Sequence, residues 1–139
     1  MIEYDFVVVG TGVSGLIFAL EASQHGSVAV ITKRSSENSN TAWAQGGICC
    51  VADDEDSFES HIADTVDAGA GLCDHDVVKA IVESAPSAIE KMVNIGVQFD
   101  KNSSGKYELG KEGGHSQRRV LHSKDTTGKE ISEKLICSA

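Results

Sequence analysis

Short apolar runs and helix-spaced apolar residues alternate along the first part of the chain. Residues 4–9 and 28–32 are apolar and rich in β-branched side chains, which predicts two strands buried on both faces, as a parallel sheet requires. Residues 13–25 carry apolar side chains at helical spacing and are followed by Gly26, a helix stop signal. A strand, tight turn, helix and strand within about 30 residues has the length of a βαβ unit, so we expect an α/β fold.

The rest of the chain predicts loops, three further helices and a hairpin. Residues 33–47 and 110–128 show no apolar periodicity and predict long loops. Pro86 falls inside one predicted helix, which we expect to break or kink near Ser84 because proline lacks a backbone donor. The other predicted elements are a short strand at 48–51, helices from Ser57 to Gly69, from Asp74 or Asp76 to Asn94 and at 129–139, and a hairpin at 97–109 that turns at 102–105.

Composition and charge exclude several classes of partner. The 139-residue chain is 40% hydrophobic and 24% charged, as is normal for a soluble globular domain. Its formal net charge of −9 repels phosphate backbones, so we expect no nucleic-acid partner. No apolar run approaches the roughly 20 residues that span a bilayer, and the acidic start at residues 1–5 is unlike a signal peptide. We therefore expect a cytoplasmic protein with no membrane partner.

The four cysteines do not form a metal-ligand pattern. Adjacent Cys49 and Cys50 would point to opposite faces of a strand, and the sequence contains no C-x-x-C pair. We expect all four cysteines to be reduced, as is usual in the predicted compartment, and we predict no metal site.

A glycine-rich turn follows the first predicted strand. The segment Gly10-Thr11-Gly12-Val13-Ser14-Gly15 fits G-x-G-x-x-G at a strand-to-helix junction, the context in which this motif binds a dinucleotide. Gly10 permits the tight turn, Gly12 lets a pyrophosphate approach the amides at the helix start, and Gly15 lets the helix pack on the strand. We therefore predict that these six residues bind a cofactor.

The residues after the second strand bear on which nucleotide binds. An NAD site carries an acid there to hold the ribose hydroxyls, whereas this chain has Lys33-Arg34, and its first acid is Glu37 in the following loop. This departure disfavours NAD. A cation at this place suits either the 2′-phosphate of NADP or the adenosine of FAD, and the spacing leaves both readings open.

The loop after Glu37 carries a more specific pattern, Thr-x-x-Ala-Gln-Gly-Gly. In it the chain resembles the flavoprotein family of succinate dehydrogenase, fumarate reductase and L-aspartate oxidase, in which this segment runs along the flavin. Membrane-bound members attach FAD through a histidine just before the threonine, and Asn40 at that place implies non-covalent FAD. We therefore predict cofactor contacts from the glycine-rich turn and from Lys33, and the resemblance implies further ones from Asn40, Thr41, Ala42, Trp43, Ala44, Gln45, Gly46 and Gly47.

A second polar loop resembles the L-aspartate oxidase branch of this family. Glu112-Gly113-Gly114-His115-Ser116 is followed by paired arginines, then by Asp125, Thr127 and Gly128, which match the Asp-x-Thr-Gly of that branch. The resemblance implies that Glu112 faces the substrate ammonium, the group that distinguishes aspartate from succinate. It also implies that His115, Ser116 and Arg118 or Arg119 lie near the bound dicarboxylate, without assigning roles to them.

The resemblance covers residues 5–130 and implies a reaction. L-aspartate would lose a hydride to FAD and give iminoaspartate, oxygen or fumarate would reoxidise the flavin, and the product would enter quinolinate and NAD biosynthesis, with functional coupling to quinolinate synthase. The alternatives are a fumarate reductase or succinate dehydrogenase flavoprotein, an NADP-dependent reductase and a non-catalytic nucleotide-binding module.

The domain organisation follows from the same resemblance. We expect residues 1–139 to be an incomplete Rossmann-like FAD-binding domain without the capping and carboxy-terminal domains, because the last predicted helix ends without a cap. We therefore expect no catalytic residue within the chain and no activity from the chain alone.

Overall fold

The computed structural model of the protein describes residues 2–139 and has the predicted α/β architecture. The described residues divide into two compact units, one made of residues 2–46, 95–97 and 125–139 and the other of residues 47–94 and 98–124. The elements in chain order are β1 (Phe6–Val9), α1 (Val13–Ala22), β2 (Val28–Ile31), β3 (Ile48–Cys49), α2 (Phe58–Ala68), α3 (His75–Ile95), β4 (Leu109–Gly110), β5 (Val120–Leu121) and α4 (Thr127–Ser138).

The first unit contains the predicted βαβ arrangement. Strands β1 and β2 pair in parallel, with Phe6 opposite Val28 and Val9 opposite Ile31. Helix α1 joins them and packs on both strands and on α4. It buries Leu16, the alanines at 19 and 22, and in β1 Val8. These apolar contacts place the start of α1 directly after the end of β1.

Helix α1 ends earlier than the sequence predicts, at Ala22 rather than at residue 25. Gly26 serves a different purpose from stopping the helix, because a Cβ there would lie 2.7 Å from a carboxylate oxygen of Asp5. That carboxylate accepts hydrogen bonds from the backbone and the hydroxyl of Ser27, at 2.8 and 2.7 Å. The glycine therefore lets the beginnings of β1 and β2 close on each other.

The prediction that both strands are buried on both faces is wrong for this chain. Val8 is 7% exposed, whereas Val7 and Val9 on the opposite face are 57% and 83% exposed, and Ile31 of β2 is 55% exposed. Helix α1 covers one face of the pair, and the other face is left to solvent within residues 2–139. The apolar pattern indicates a face suited to burial, but it does not say which residues cover it.

Helix α3 of the second unit runs through Pro86 without the predicted break near Ser84. It buries Val82, Ile89 and Met92, which share one face of the helix. Burying each of these side chains contributes about 1.5–3 kcal/mol, which together exceeds the cost of roughly 3 kcal/mol for an internal proline. Helix α2 begins as predicted, since the hydroxyl of Ser57 accepts a hydrogen bond from the backbone of Ser60 at 3.1 Å.

The second unit also contains a three-stranded antiparallel sheet in the order β3-β5-β4. Its central strand, β5, lies in a region predicted to be loop, and it pairs Val120 with Cys49 on one side and with Gly110 on the other. The predicted turn at 102–105 is present, because the side chain of Asn102 accepts hydrogen bonds from the backbone of Ser104 and Lys106. Two residues of strand are too few for a periodic signal, so the sequence did not reveal β5.

Candidate functional site

The turn between β1 and α1 requires glycine at two of its three glycine positions. Gly10 has φ +110, in the left-handed region that favours glycine, and its backbone N–H donates to the carbonyl of Ile31 at 2.7 Å. A Cβ at Gly15 would lie 2.4 Å from the carbonyl oxygen of Gly10. Gly10 is thus fixed by conformation and Gly15 by close packing of α1 on the strand end.

Gly12 has no such requirement within the protein. It is the N-cap of α1 with φ −73 and ψ 171, which any residue can adopt, and a Cβ there would meet only the hydroxyl of Thr41, at 3.6 Å. The first-turn N–H groups of a helix have no intrahelical acceptor and attract an anion. A bare backbone at Gly12 therefore fits a pyrophosphate that approaches from outside the chain.

Thr41 supplies the helix cap that Gly12 lacks. Its hydroxyl accepts a hydrogen bond from the backbone N–H of Val13 at 3.0 Å, and its carbonyl accepts one from the N–H of Ala44 at 3.1 Å. The cofactor contact that the resemblance implies for Thr41 stays a prediction, and in the structure its side chain anchors its loop to the start of α1.

Gly128 holds the same loop from the start of α4. Its backbone N–H donates to the carbonyl of Ala44 at 3.0 Å, and a Cβ on it would collide with the carbonyl oxygens of Thr41 and Ala44, the second at 2.7 Å. The sequence matched Gly128 to a motif without giving it a role. Segment 41–44 is therefore held by the first turns of two helices, α1 and α4.

The remaining predicted cofactor residues of the first unit are mostly exposed. Thr11 is buried, and its hydroxyl bonds to that of Thr32 at 3.3 Å. Trp43 is 75% exposed, with its indole N–H donating to the side chain of Asn38 at 3.3 Å. The exposed members of the predicted set are Ser14, Lys33, Asn40, Trp43, Ala44, Gln45 and Gly46, and the half-buried ones are Val13, Thr41 and Ala42.

Gly47 belongs to the second unit and has a packing role there. A Cβ at this position would collide with the carbonyl oxygen of Leu121 and, at 2.4 Å, would sit too close to a methyl of Val120. The glycine therefore lets the chain entering β3 pass close to β5. This packing requires glycine at position 47, and the cofactor contact that the resemblance implies there stays a prediction.

The loop between β4 and β5 presents Glu112 on a tight turn. The N–H of His115 donates to the carbonyl of Glu112 at 3.1 Å, and Gly114 has φ +93, which makes the turn possible. The side chain of Glu112 is exposed, as are both glycines that follow it. The turn thus displays a carboxylate on a fixed backbone.

Arg119 is fully buried and is the centre of an ion-pair network that the sequence did not reveal. Its guanidinium binds the carboxylate of Asp56 in bidentate fashion, both distances 2.8 Å, and contacts Asp64 at 2.6 Å. Arg118, the other member of the pair, is exposed and donates to the carbonyl of Leu109 at 3.2 Å. Of the two arginines, Arg119 alone has carboxylate partners among residues 2–139, so the two are not interchangeable.

Asp64 also ties the Glu112 loop to α2. It accepts hydrogen bonds from the backbone and hydroxyl of Ser116 at 2.7 and 2.8 Å. The backbone hydrogen bond from Ser116, aided by its hydroxyl and by Arg119 against the effect of burial, lowers the pKa of Asp64 to about 2. Ser60 and Asp64 lie four positions apart, so they share one face of α2. This spacing is the sequence signal that could have indicated a polar group bound by both side chains.

The side chains of Cys49 in β3 and His61 in α2 both lie against His115. Its Nε2 lies 3.6 Å from the sulfur of Cys49, and its ring meets that of His61 edge-on, with centroids 6.2 Å apart. His61 is buried, and its Nδ1 has no hydrogen-bond partner within residues 2–139. Burial, followed by the charge of Arg119, lowers the pKa of His61, and burial raises the pKa of Cys49. The two shifts favour the neutral imidazole of His61 and the neutral thiol of Cys49.

The described residues offer neither a metal-ligand cluster nor a membrane-spanning helix. Across residues 2–139, no group of three or more His, Cys, Asp or Glu side chains is arranged to hold a metal ion. In the same range no helix has the length and apolar character needed to cross a membrane. The four cysteines are all free thiols in the structure.

Known proteins resemble this chain in sequence. A family model described as "FAD binding domain" matches residues 5–139. A chloroplastic L-aspartate oxidase of Oryza sativa is 47% identical over 133 residues, which is 96% of this chain and 21% of the relative. An L-aspartate oxidase of Vibrio cholerae is 43% identical over 138 residues, 96% of this chain and 26% of the relative. The chain thus spans a fifth to a quarter of the length of these relatives.

Solved structures resemble it in fold. A mutant quinol fumarate reductase of E. coli superposes with a TM-score of 0.91 at 32% identity, over 99% of this chain and 24% of that one. An Sdh1 complex of Mycobacterium smegmatis gives a TM-score of 0.91 at 32% identity, over 97% of this chain and 23% of that one. The sequence identity is therefore lower to these structures than to the two L-aspartate oxidases.

Proposed function

Because the chain belongs to the FAD binding domain family, we propose that it is the flavin-binding part of an enzyme that oxidises L-aspartate. Its cofactor is FAD. The observation that carries the choice of substrate is Glu112, an exposed carboxylate on a turn fixed by hydrogen bonds. The names of the relatives support the same choice, since the L-aspartate oxidases are 40–47% identical to this chain.

The first unit would hold FAD without a covalent bond. The pyrophosphate would lie against Gly12 and the first turn of α1, where the backbone is bare. Asn40 supports non-covalent binding, because its amide is not the nucleophile that a flavin tether needs. The residues proposed to contact FAD are those of the glycine-rich turn, Gly10 to Gly15, together with Lys33, Asn40, Thr41, Ala42, Trp43, Ala44, Gln45, Gly46 and Gly47.

The chain's own contribution to the reaction is binding and selection. When bound, FAD supplies the acceptor for the hydride that leaves the substrate. Glu112 would pair its carboxylate with the ammonium of L-aspartate, an interaction that succinate cannot make. A site built for a charged group rejects the analogue that lacks it, because the carboxylate is then left without its partner.

The rest of the reaction follows from this proposal. The product would be iminoaspartate, the final acceptor oxygen or fumarate, and the setting NAD biosynthesis through quinolinate, with quinolinate synthase as a functional partner. The cytoplasmic location stays a prediction, since the plant relatives are named chloroplastic.

The decisive experiment compares substrates in the full-length protein. We expect a yellow preparation with flavin absorption that oxidises L-aspartate and does not oxidise succinate at a comparable rate. Oxidation of succinate in preference to aspartate would instead support a fumarate reductase or succinate dehydrogenase flavoprotein. A preparation without flavin absorption would contradict the proposed cofactor.

An activity assay of the isolated 139-residue chain is a second test. We expect the chain not to turn over L-aspartate, because it spans only 21% to 26% of the relatives compared above. Formation of iminoaspartate by the isolated chain, measured as oxygen consumed with aspartate as substrate, would contradict this expectation. The full-length protein assayed in parallel is the control.

A further inference from the structure

His115 binds both backbone polar groups of Glu112. The N–H of His115 donates to the Glu112 carbonyl at 3.1 Å, and the N–H of Glu112 donates to Nδ1 of the imidazole at 3.4 Å. These two hydrogen bonds with one residue therefore fix the backbone of Glu112, which carries the carboxylate side chain. Without them, the exposed turn would have to be ordered when a ligand binds, which costs affinity.

The contacts of the ring define its tautomer. Because Nδ1 accepts a hydrogen bond, a neutral imidazole carries its proton on Nε2, and Nε2 lies 3.6 Å from the sulfur of Cys49. The edge-on ring of His61 restrains the imidazole from α2. Both nitrogens are engaged within the protein, so neither is available to a substrate carboxylate in this arrangement. The place near the dicarboxylate that the resemblance implies for His115 stays a prediction, and the contacts of its ring indicate that it holds the Glu112 turn.

We propose that His115 is a positioning residue for substrate selection, which holds the Glu112 turn through Nδ1 and so sharpens discrimination between L-aspartate and dicarboxylates without an ammonium group. This proposal rests on the proposed function, in which Glu112 meets that ammonium. It requires an acceptor at the place of Nδ1, and it does not require an imidazole as such.

Three variants of the full-length, FAD-loaded protein separate these requirements. His115→Asn keeps an acceptor near the place of Nδ1, His115→Gln moves the polar group to the place of Nε2, and His115→Ala removes both. We expect the Gln and Ala variants to raise the KM for L-aspartate about tenfold, because each loses one hydrogen bond that orders a charged group. The KM of the Asn variant should stay within about twofold of the wild-type value. The inhibition constant of succinate should stay within about twofold in all three, because succinate makes no contact that depends on the Glu112 turn.

A second measurement tests the hydrogen bond itself. Hydrogen exchange of the Glu112 amide should be faster in the Gln and Ala variants than in the wild type and the Asn variant. Equal KM values for Asn and Ala, or a succinate constant that rises in parallel with the KM, would overturn the proposal. If Ala fails to retain FAD, the Asn and Gln pair decides. A wild-type protein that does not oxidise aspartate would refute the proposed function instead, and the exchange result would still show whether His115 holds the turn.

Discussion

The glycine-rich turn of the first unit and the Glu112 loop of the second unit are built in opposite ways. The turn is made of backbone: Gly10 is required by its φ of +110 and Gly15 by a carbonyl 2.4 Å from its would-be Cβ. The Glu112 loop is held by side chains, since Ser116, Asp64 and Arg119 tie it to α2. A backbone-built site is visible in one short motif, whereas a site held by side chains depends on residues far apart in sequence.

The largest effect should come from the buried cation of the second unit. We expect Arg119→Met to lower the free energy of unfolding by about 3–5 kcal/mol, because it leaves the carboxylates of Asp56 and Asp64 without their counter-charge. Denaturant unfolding of the full-length protein measures this. The matched control is Arg118→Met, an exposed arginine whose loss should change stability by no more than about 0.5 kcal/mol. Equal losses from both variants would contradict the distinction between the two arginines.

The same network should make the second unit sensitive to acid. The pKa of Asp64 is about 2 in the folded protein against an ordinary 3.8, and its side chain is 16% exposed. A lowered pKa contributes stability that is complete above pH 3.8 and is lost as the pH falls toward 2, about 2 kcal/mol in all.

Urea unfolding at several pH values between about 5 and about 2 tests this. Asp64→Asn should lose stability at neutral pH and flatten the acid dependence. An acid dependence as steep in the Asn variant as in the wild type would show that Asp64 is not its source.

The glycine-rich turn should separate cofactor binding from folding. Gly12→Ala adds a methyl that meets only the Thr41 hydroxyl at 3.6 Å, so we expect an unchanged melting temperature. The same methyl would stand where the pyrophosphate approaches, and the affinity for FAD should fall about tenfold.

Gly15→Ala is the contrasting variant, because its methyl would lie 2.4 Å from the Gly10 carbonyl oxygen. It should lose both thermal stability and FAD affinity. FAD titration followed by flavin fluorescence, with thermal unfolding of the apoprotein, distinguishes the two. Undiminished FAD affinity in Gly12→Ala would contradict the placing of the pyrophosphate.

The difference between the glycine-rich turn and the Glu112 loop explains which features could be predicted from the sequence. The βαβ unit and the roles of Gly10 and Gly15 followed from local patterns, because apolar periodicity and glycine geometry act over a few residues. The cap from Thr41 did not follow from a local pattern, because its partner Val13 lies 28 positions away along the chain. The docking of Gly128 did not either, because it depends on contact with the backbone of a separate segment.

Arg118 and Arg119 show most clearly what a local sequence pattern cannot predict. They are adjacent and chemically identical, yet one is exposed and the other fully buried, and the difference lies in Asp56, 63 positions before Arg119. No local pattern distinguishes them. The unbroken α3 is similar, because the tertiary burial of Val82, Ile89 and Met92 outweighs the local preference against Pro86.

Recognition of the L-aspartate ammonium by Glu112 is tested most directly by Glu112→Gln in the full-length, FAD-loaded protein. Gln keeps the size of the side chain and removes its charge. We predict that the KM for L-aspartate rises about tenfold while the inhibition constant of succinate stays the same or falls, because only aspartate has a cation to pair with the carboxylate. An unchanged KM for aspartate, or an equal weakening of aspartate and succinate, would contradict the account.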